Sequence, residues 1–295
     1  MARGPLLQGS ADRRTASGQS RVKPLAAEGD ENAGVQGLCF CQTGGPQGLR
    51  QKGKAGSVTL LGKALDSLPR SLRSKMACHL GAPDLRWSLR QLRRFGLRVS
   101  SAVDVGAFRG AWTKSFLEVF SEAEVLCVEP SASCLPGLRD LAKARKGVRV
   151  LHSLLGERVA EAMPFEDRGS GSSVLNTSPD SPCVKMTTLD SLIDSGYLSP
   201  PECVKLDVQG YEVKVLEGWR LGFERCEVIQ CELSLLPLVE SAPLLHEVIV
   251  YLRNRGFVIW DIEEFIRSPS DGALWQIDAI FVREDSPLRV ERRWR

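Results

Sequence analysis

From about residue 83 onward, short apolar runs alternate with amphipathic stretches, and this alternation restricts the fold more than any single motif. The runs fall at 100–105, 124–129, 148–152, 202–208 and 227–232. A strand that is apolar at nearly every position has both faces covered, as in a parallel sheet. Helical patterns at 110–120, 132–145, 189–195, 210–217 and 242–254 supply the covers, after a first helix from Leu85 to Phe95 that Gly96 closes. Strand and helix in alternation define an α/β architecture. The end of the chain breaks the rhythm. Phe257–Ile262 and Trp275–Val282 are strand runs joined by a polar loop without a helix, which predicts an antiparallel pair appended to a mostly parallel sheet.

The preceding residues have a different texture. Residues 1–56 are rich in Gly, Ser, Gln, Arg and Ala and poor in bulky aliphatics, so they are expected to form a disordered basic tail. Residues 57–82 are a lead-in whose apolar positions between Val58 and Leu72 suit a short amphipathic helix broken near Pro69. Met76 offers an alternative translation start. The main domain is then 83–287, with a short basic tail at 288–295.

Charge follows the same division. The net charge of +3 combines 12 Lys/Arg and 5 Asp/Glu in residues 1–75 with 27 and 31 in the remainder. A slightly acidic folded part argues against a nucleic-acid partner, which needs a concentrated basic surface. No apolar run approaches the roughly 18 residues of a membrane span, and no apolar stretch follows the N-terminal arginines. The nine cysteines form no C-x-x-C pair, and Cys127, Cys203 and Cys231 sit inside apolar runs. Such usage points to a reducing, cytoplasmic setting, although five basic residues among the first 27 also suit an organelle-targeting segment.

The first strand–helix junction carries the chemistry. It reads Ala102-Val-Asp-Val-Gly-Ala-Phe-Arg-Gly-Ala-Trp112: an apolar strand, Asp104, then Gly106 and Gly110 opening a helix. Glycine permits a sharp turn and close approach to a ligand. The spacing excludes two familiar ligands. A dinucleotide loop needs glycine where Phe108 and Ala111 stand, and a P-loop needs lysine directly after its glycine. The pattern instead resembles the first motif of Rossmann-like methyltransferases. Glu129 ends the second strand, 19 residues after Gly110, where a carboxylate can accept both ribose hydroxyls of a nucleoside cofactor.

Further charged residues sit at the fourth and fifth strands. Lys205 and Asp207 leave one face of their strand, and two charges inside an apolar strand are costly unless paired or used. Asp207 is either half of a buried ion pair supporting the loop or the group that acts on the acceptor. Glu232, read as ending the fifth strand, is the second catalytic candidate. Glu212 suits a helix first turn, Asp190 a helix start, and Ser172 and Ser173 a flexible turn or a pocket wall. His79, His152 and His246 show no metal spacing, so no metal is expected.

Five strings in order resemble the FkbM family of methyltransferases: Val103-Asp-Val-Gly-Ala107, Val128-Glu-Pro130, Thr188-Leu-Asp190, the long run from Val204 to Gly218, and Gln276-Ile-Asp278. The resemblance covers about 85–285. It implies a Rossmann-like, seven-stranded methyltransferase sheet, S-adenosyl-L-methionine as methyl donor, and a hydroxyl acceptor on a glycan or small molecule. Asp104, Gly106, Ala107 and Gly110 would hold the methionine end and Glu129 the ribose, with Asp207, supported by Lys205, at the chemistry. Phe108 departs from the small or amide residue usual in the loop, and Gln209 from the usual Glu. The competing classes are a non-catalytic cofactor-binding protein and an NAD-dependent oxidoreductase.

Overall fold

A computed structural model describes residues 84–289 except Asn176. The expected tail at 1–56, the lead-in at 57–82 and the start at Met76 lie outside the described residues, as does 288–295 apart from its first two positions.

The elements in chain order are α1 (Leu85–Arg94), β1 (Ser101–Val105), α2 (Ala111–Leu117), β2 (Glu124–Val128), α3 (Leu135–Ala144) and β3 (Val148–Leu151). There follow β4 (Leu154–Leu155), β5 (Ala160–Pro164), β6 (Cys183–Thr187), α4 (Leu189–Asp194), β7 (Cys203–Leu206) and α5 (Glu212–Glu217). The chain ends with β8 (Val228–Ser234), α6 (Leu245–Arg253), β9 (Phe257–Arg267) and β10 (Leu274–Arg283). Seven strands form one sheet in the order β3-β2-β1-β7-β8-β10-β9. The first five are parallel, and β10 runs antiparallel to both neighbours. The expected α/β class holds.

The terminal pair is arranged differently from a simple appendage: β10 inserts between β8 and β9. The apolar pattern explains the choice. Ile277, Ala279, Ile280, Phe281 and Val282 of β10 are all buried, as an interior strand requires, whereas β9 bears Asp261, Glu263 and Glu264 and takes the edge.

Alternation divides the parallel sheet into two faces. Ala102, Val125, Cys203 and Val228 pack with Leu89, Phe116 and Leu138 under α1, α2 and α3. Val103, Leu126, Val204 and Ile229 pack with Leu189, Val215 and Val248 under α4, α5 and α6. Stacking of Trp112 on Phe116 and of Phe116 on Phe120, with centroids 4.7 and 5.0 Å apart, stiffens α2 and the turn after it.

One feature had no counterpart in the sequence pattern: a second sheet of order β4-β6-β5. It closes over Leu154, Phe165, Val174, Met186 and Tyr211. Its strands pair over few residues, and β5 is largely exposed, so neither apolar alternation nor length announces them. No helix among the described residues is long and apolar enough to cross a membrane.

Candidate active site

The chain leaves β1 toward β2 on one side and later returns to place β7 on the other, so β1 and β7 flank the point where strand order reverses. Open α/β sheets bind ligands at the carboxyl ends of strands at such a point. Gly106, Glu129 and Asp207 each follow one of these three strands. The expected loop, acid and carboxylate therefore share one end of the sheet.

Gly106 has φ +73°, and a Cβ there would lie 1.9 Å from the Asp207 carbonyl oxygen. Only glycine lets the first loop pass so close to the loop after β7. The N–H groups of Gly106 and Ala107 both reach the Val128 carbonyl, at 3.0 and 3.2 Å. Gly110 also has positive φ, at the N-cap of α2, where a side chain would meet Leu141. Between them Phe108 is held at φ 47°, a conformation that costs an aromatic residue roughly 1–3 kcal/mol.

Glu129 holds that strained turn. Its carboxylate is buried and accepts from the N–H of Phe108 at 2.6 Å and of Ser131 at 2.8 Å, one bond per oxygen. Burial raises its pKa, against these two donors. Each oxygen keeps a lone pair for a further donor.

Lys205 is the hub. Its ammonium lies 3.0 Å from Asp207 Oδ2 and 3.5 Å from Asp104 Oδ1, and it donates to the Gly106 carbonyl at 3.0 Å. Burial alone would favour the neutral amine, but Asp207 and Asp104 outweigh it and raise the lysine pKa. The contact to Asp104 is an ion pair alone, since Asp104 Oδ1 is buried without a hydrogen-bond partner among the described residues. Asp104 lies beneath the loop. Its side chain is 0% exposed and is held by Thr113 Oγ1 at 2.6 Å, so it reaches the loop only through Lys205. Asp207 is the first residue after β7, and its side chain is 37% exposed.

Glu232 lies within β8, which runs on to Ser234, and not at its end as the sequence suggested. It stands opposite Asp278 of β10. Two amides bracket it: Gln209 Nε2 at 2.7 Å and Gln276 Nε2 at 2.9 Å, and Gln209 also reaches Asp207 at 3.1 Å. Burial and the charges of Asp207 and Asp278 hold the Glu232 pKa well above the carboxylate range. Burial and the same Asp207 charge push Asp278 to about 7. Burial and the neighbouring carboxylates thus favour its neutral form, while both amides donate to its Oε2. Like Phe108, Gln209 has positive φ, at 52°. Both family departures thus occupy left-handed turns.

Several supporting residues were not singled out as such. Glu212 accepts from the N–H groups of Val208 and Gly210, both at 3.1 Å, and so clamps its own loop beyond any helix-dipole role. Burial pushes it to about 7. Asp167 accepts from Ser131 at 2.6 Å and from Ser172 at 3.3 Å, which bonds the Gly/Ser-rich turn to the loop after β2. Ser173 is buried and donates to the Gln209 carbonyl at 3.2 Å. Asp190 receives the N–H groups of Arg220 and Leu221 at 2.7 Å each, while Thr188 caps α4. His152 bonds the Pro130 carbonyl, His246 is exposed on α6, and His79 lies outside the described residues. Among the described residues no group of three or more His, Cys, Asp or Glu is arranged to hold a metal ion.

A seven-stranded sheet of this order, with a glycine loop at the switch point and an acid after the second strand, defines an S-adenosylmethionine-dependent methyltransferase fold. The sequence pattern described as "Methyltransferase FkbM domain" matches residues 104–259, more than half of the chain, and the protein belongs to that family, whose methyl donor is S-adenosylmethionine. A hexuronic acid methyltransferase, AglP, of Haloferax volcanii is 24% identical over 151 residues, covering 47% of this chain and 62% of that relative. The chain thus spans less than two thirds of that protein's length. Among solved structures, precorrin-6y C5,15-methyltransferase from Geobacter metallireducens is similar at 12% identity and TM-score 0.40, covering 68% of this chain and 88% of that one. The 1,6-didemethyltoxoflavin-N1-methyltransferase of Burkholderia thailandensis is similar at 11% identity and TM-score 0.37, with coverages of 80% and 94%.

Proposed function

We propose that the protein methylates a hydroxyl oxygen on a sugar-type or small polyhydroxylated acceptor. The observation that carries this reading is Asp207: a carboxylate at the switch point, partly open to solvent, with Oδ2 fixed by Lys205 and Oδ1 by Gln209.

The site's features suit the cofactor. Gly106 lets the first loop close against the loop after β7, and Glu129 has spare acceptors for ribose hydroxyls. When bound, S-adenosylmethionine supplies an electrophilic sulfonium methyl group. The loop 106–110 would take its methionine end. Asp104 acts through Lys205 as a positioning residue, fixing the Gly106 carbonyl and the Asp207 carboxylate together. Asp207 orients the acceptor hydroxyl and takes its proton as the oxygen attacks. Glu232, with Oε2 held by two amides, turns its other oxygen to a neighbouring acceptor hydroxyl.

The wall also speaks to acceptor charge. Carboxyl groups and amides meet around Asp207 and Glu232, and Lys205 beside them is already engaged by Asp207 and the Gly106 carbonyl. An acceptor carboxylate would face the carboxyl groups of Asp207, Glu232 and Asp278, so an uncharged hydroxyl suits the wall better than a uronate. The test is a methyl-transfer screen with labelled donor over neutral sugars, uronates, amino sugars and hydroxylated metabolites. Labelled methyl ethers on neutral hydroxyls support the reading. Label on nitrogen, or on uronates alone, overturns it. S-adenosylhomocysteine binding without turnover of any acceptor would favour the non-catalytic alternative.

A further inference from the structure

The loops before β1, β2 and β7 form the opposite end of the sheet from the cofactor loops. Strands of about five residues separate the two ends by roughly 16 Å. At this far end a cleft of about 740 Å³ runs between the last turn of α1 and the turn before β2. Arg90, Arg93, Arg94 and Arg98 line it, and all four are exposed. Arg93 donates to the Val119 carbonyl and Arg98 to that of Leu97, but among the described residues none of the four meets a carboxylate. The floor is apolar, formed by Leu97, Val99 and Phe120. Beside the rim, Phe95 is 43% exposed.

Arginines that meet no carboxylate among the described residues and converge on an apolar cleft favour an anionic ligand with apolar groups of its own. Their guanidinium forks suit carboxylates and phosphates alike, and two further features choose between these. Glu122 and Glu202 stand in the same wall, where they would repel a continuous phosphate backbone. The lining has arginine and aromatic side chains but no lysine, the composition of protein interfaces. A concave groove also suits an inserted segment better than a flat lipid surface.

We propose that this cleft docks an acidic segment of a partner protein, its carboxylates on the arginines and its apolar side chains on the floor. Bound there, the partner leaves the cofactor end of the sheet open. This inference is independent of the methyl-transfer reading.

Fluorescence anisotropy on the full chain tests it at physiological ionic strength, where only close ion pairs survive screening. The probes are a short labelled peptide alternating Glu with Leu and Phe, a polyglutamate of equal charge, an oligouridylate of equal charge, and phosphatidylserine-containing vesicles. The alternating peptide should bind saturably and about tenfold more tightly than polyglutamate. The triple variant R90E/R94E/R98E should weaken it by about tenfold or more. That variant should gain affinity for the same peptide with Lys in place of Glu, a reversal that misfolding cannot produce. Tighter binding of oligouridylate or vesicles, an unchanged triple variant, or no saturable binding of any probe overturns the proposal.

Discussion

Lys205 donates to the backbone carbonyl of Gly106 at 3.0 Å, so a buried ammonium on β7 holds the loop that follows β1. Asp104 and Asp207 meet the same nitrogen. Removing the cation strands the fully buried Asp104, an uncompensated charge that costs about 3–5 kcal/mol. Lys205→Met is therefore expected to lower unfolding stability by that amount in denaturant titrations. Lys205→Met with Asp104→Asn should recover part of the loss, because the two residues are coupled. Additive losses would show that the pair is energetically independent.

Asp207→Asn leaves Lys205 paired with Asp104 and keeps the side-chain shape. Near-normal folding and S-adenosylhomocysteine affinity are expected, with turnover lowered about 10²–10⁴-fold, the usual effect of losing a general base. Turnover at the wild-type rate on the acceptor found by screening would make Asp207 a structural residue.

Glu129 ties Phe108 and Ser131 to one carboxylate and keeps acceptors to spare. Glu129→Ala should weaken S-adenosylhomocysteine binding by about 2–4 kcal/mol, measured by calorimetry. Glu129→Gln retains one acceptor and should lose less. Equal affinities for all three proteins would remove ribose recognition from this residue.

Stability should also depend on pH through Glu212. Its pKa rises from 4.5 to about 7 on folding, so between these values the folded state binds more protons than the unfolded one. The slope of unfolding free energy against pH is then negative. Stability is greatest near the lower limit and falls as pH approaches 7, by about 1–3 kcal/mol for this one group. Glu202, whose pKa is lowered despite partial burial because Ser100, Ser101 and Arg225 bind it, acts in the opposite sense below pH 4.5. Glu212→Gln keeps an acceptor for Val208 and Gly210 but cannot titrate. Its stability should change less than that of the wild type between pH 5 and 8, and parallel curves would disprove the assignment.

Legibility followed apolar continuity. The five parallel strands, apolar and mostly buried, could be read within a few residues of their ends, as could the helices that cover them. The position of β10 was not legible, because pairing partners are chosen by burial across the whole sheet and not by neighbours in sequence. The small second sheet escaped for the opposite reason: half-buried Ala160 and exposed Glu161 and Ala162 carry no alternation. At the site, strand ends revealed Gly106, Glu129, Asp207 and the Lys205–Asp207 pairing. Asp104 was placed at the right loop, but its complete burial depends on Thr113 and α2, which lie across the sheet surface. The bracketing of Glu232 by Gln209 and Gln276 joins three separate segments, and local spacing holds no trace of it.

The insertion of β10 between β8 and β9 has a consequence for synthesis. The cofactor end is complete once β8 has emerged from the ribosome, since Gly106, Glu129 and Lys205 all precede it. Gln276 and Asp278 arrive only with the last strand. Until then the flank of β8 presents unpaired backbone groups, and β9 has no neighbour to join. A growing chain therefore acquires the loops after β1, β2 and β7 first and the partners of Glu232 on β10 last, and during that interval its sheet carries an open, sticky edge.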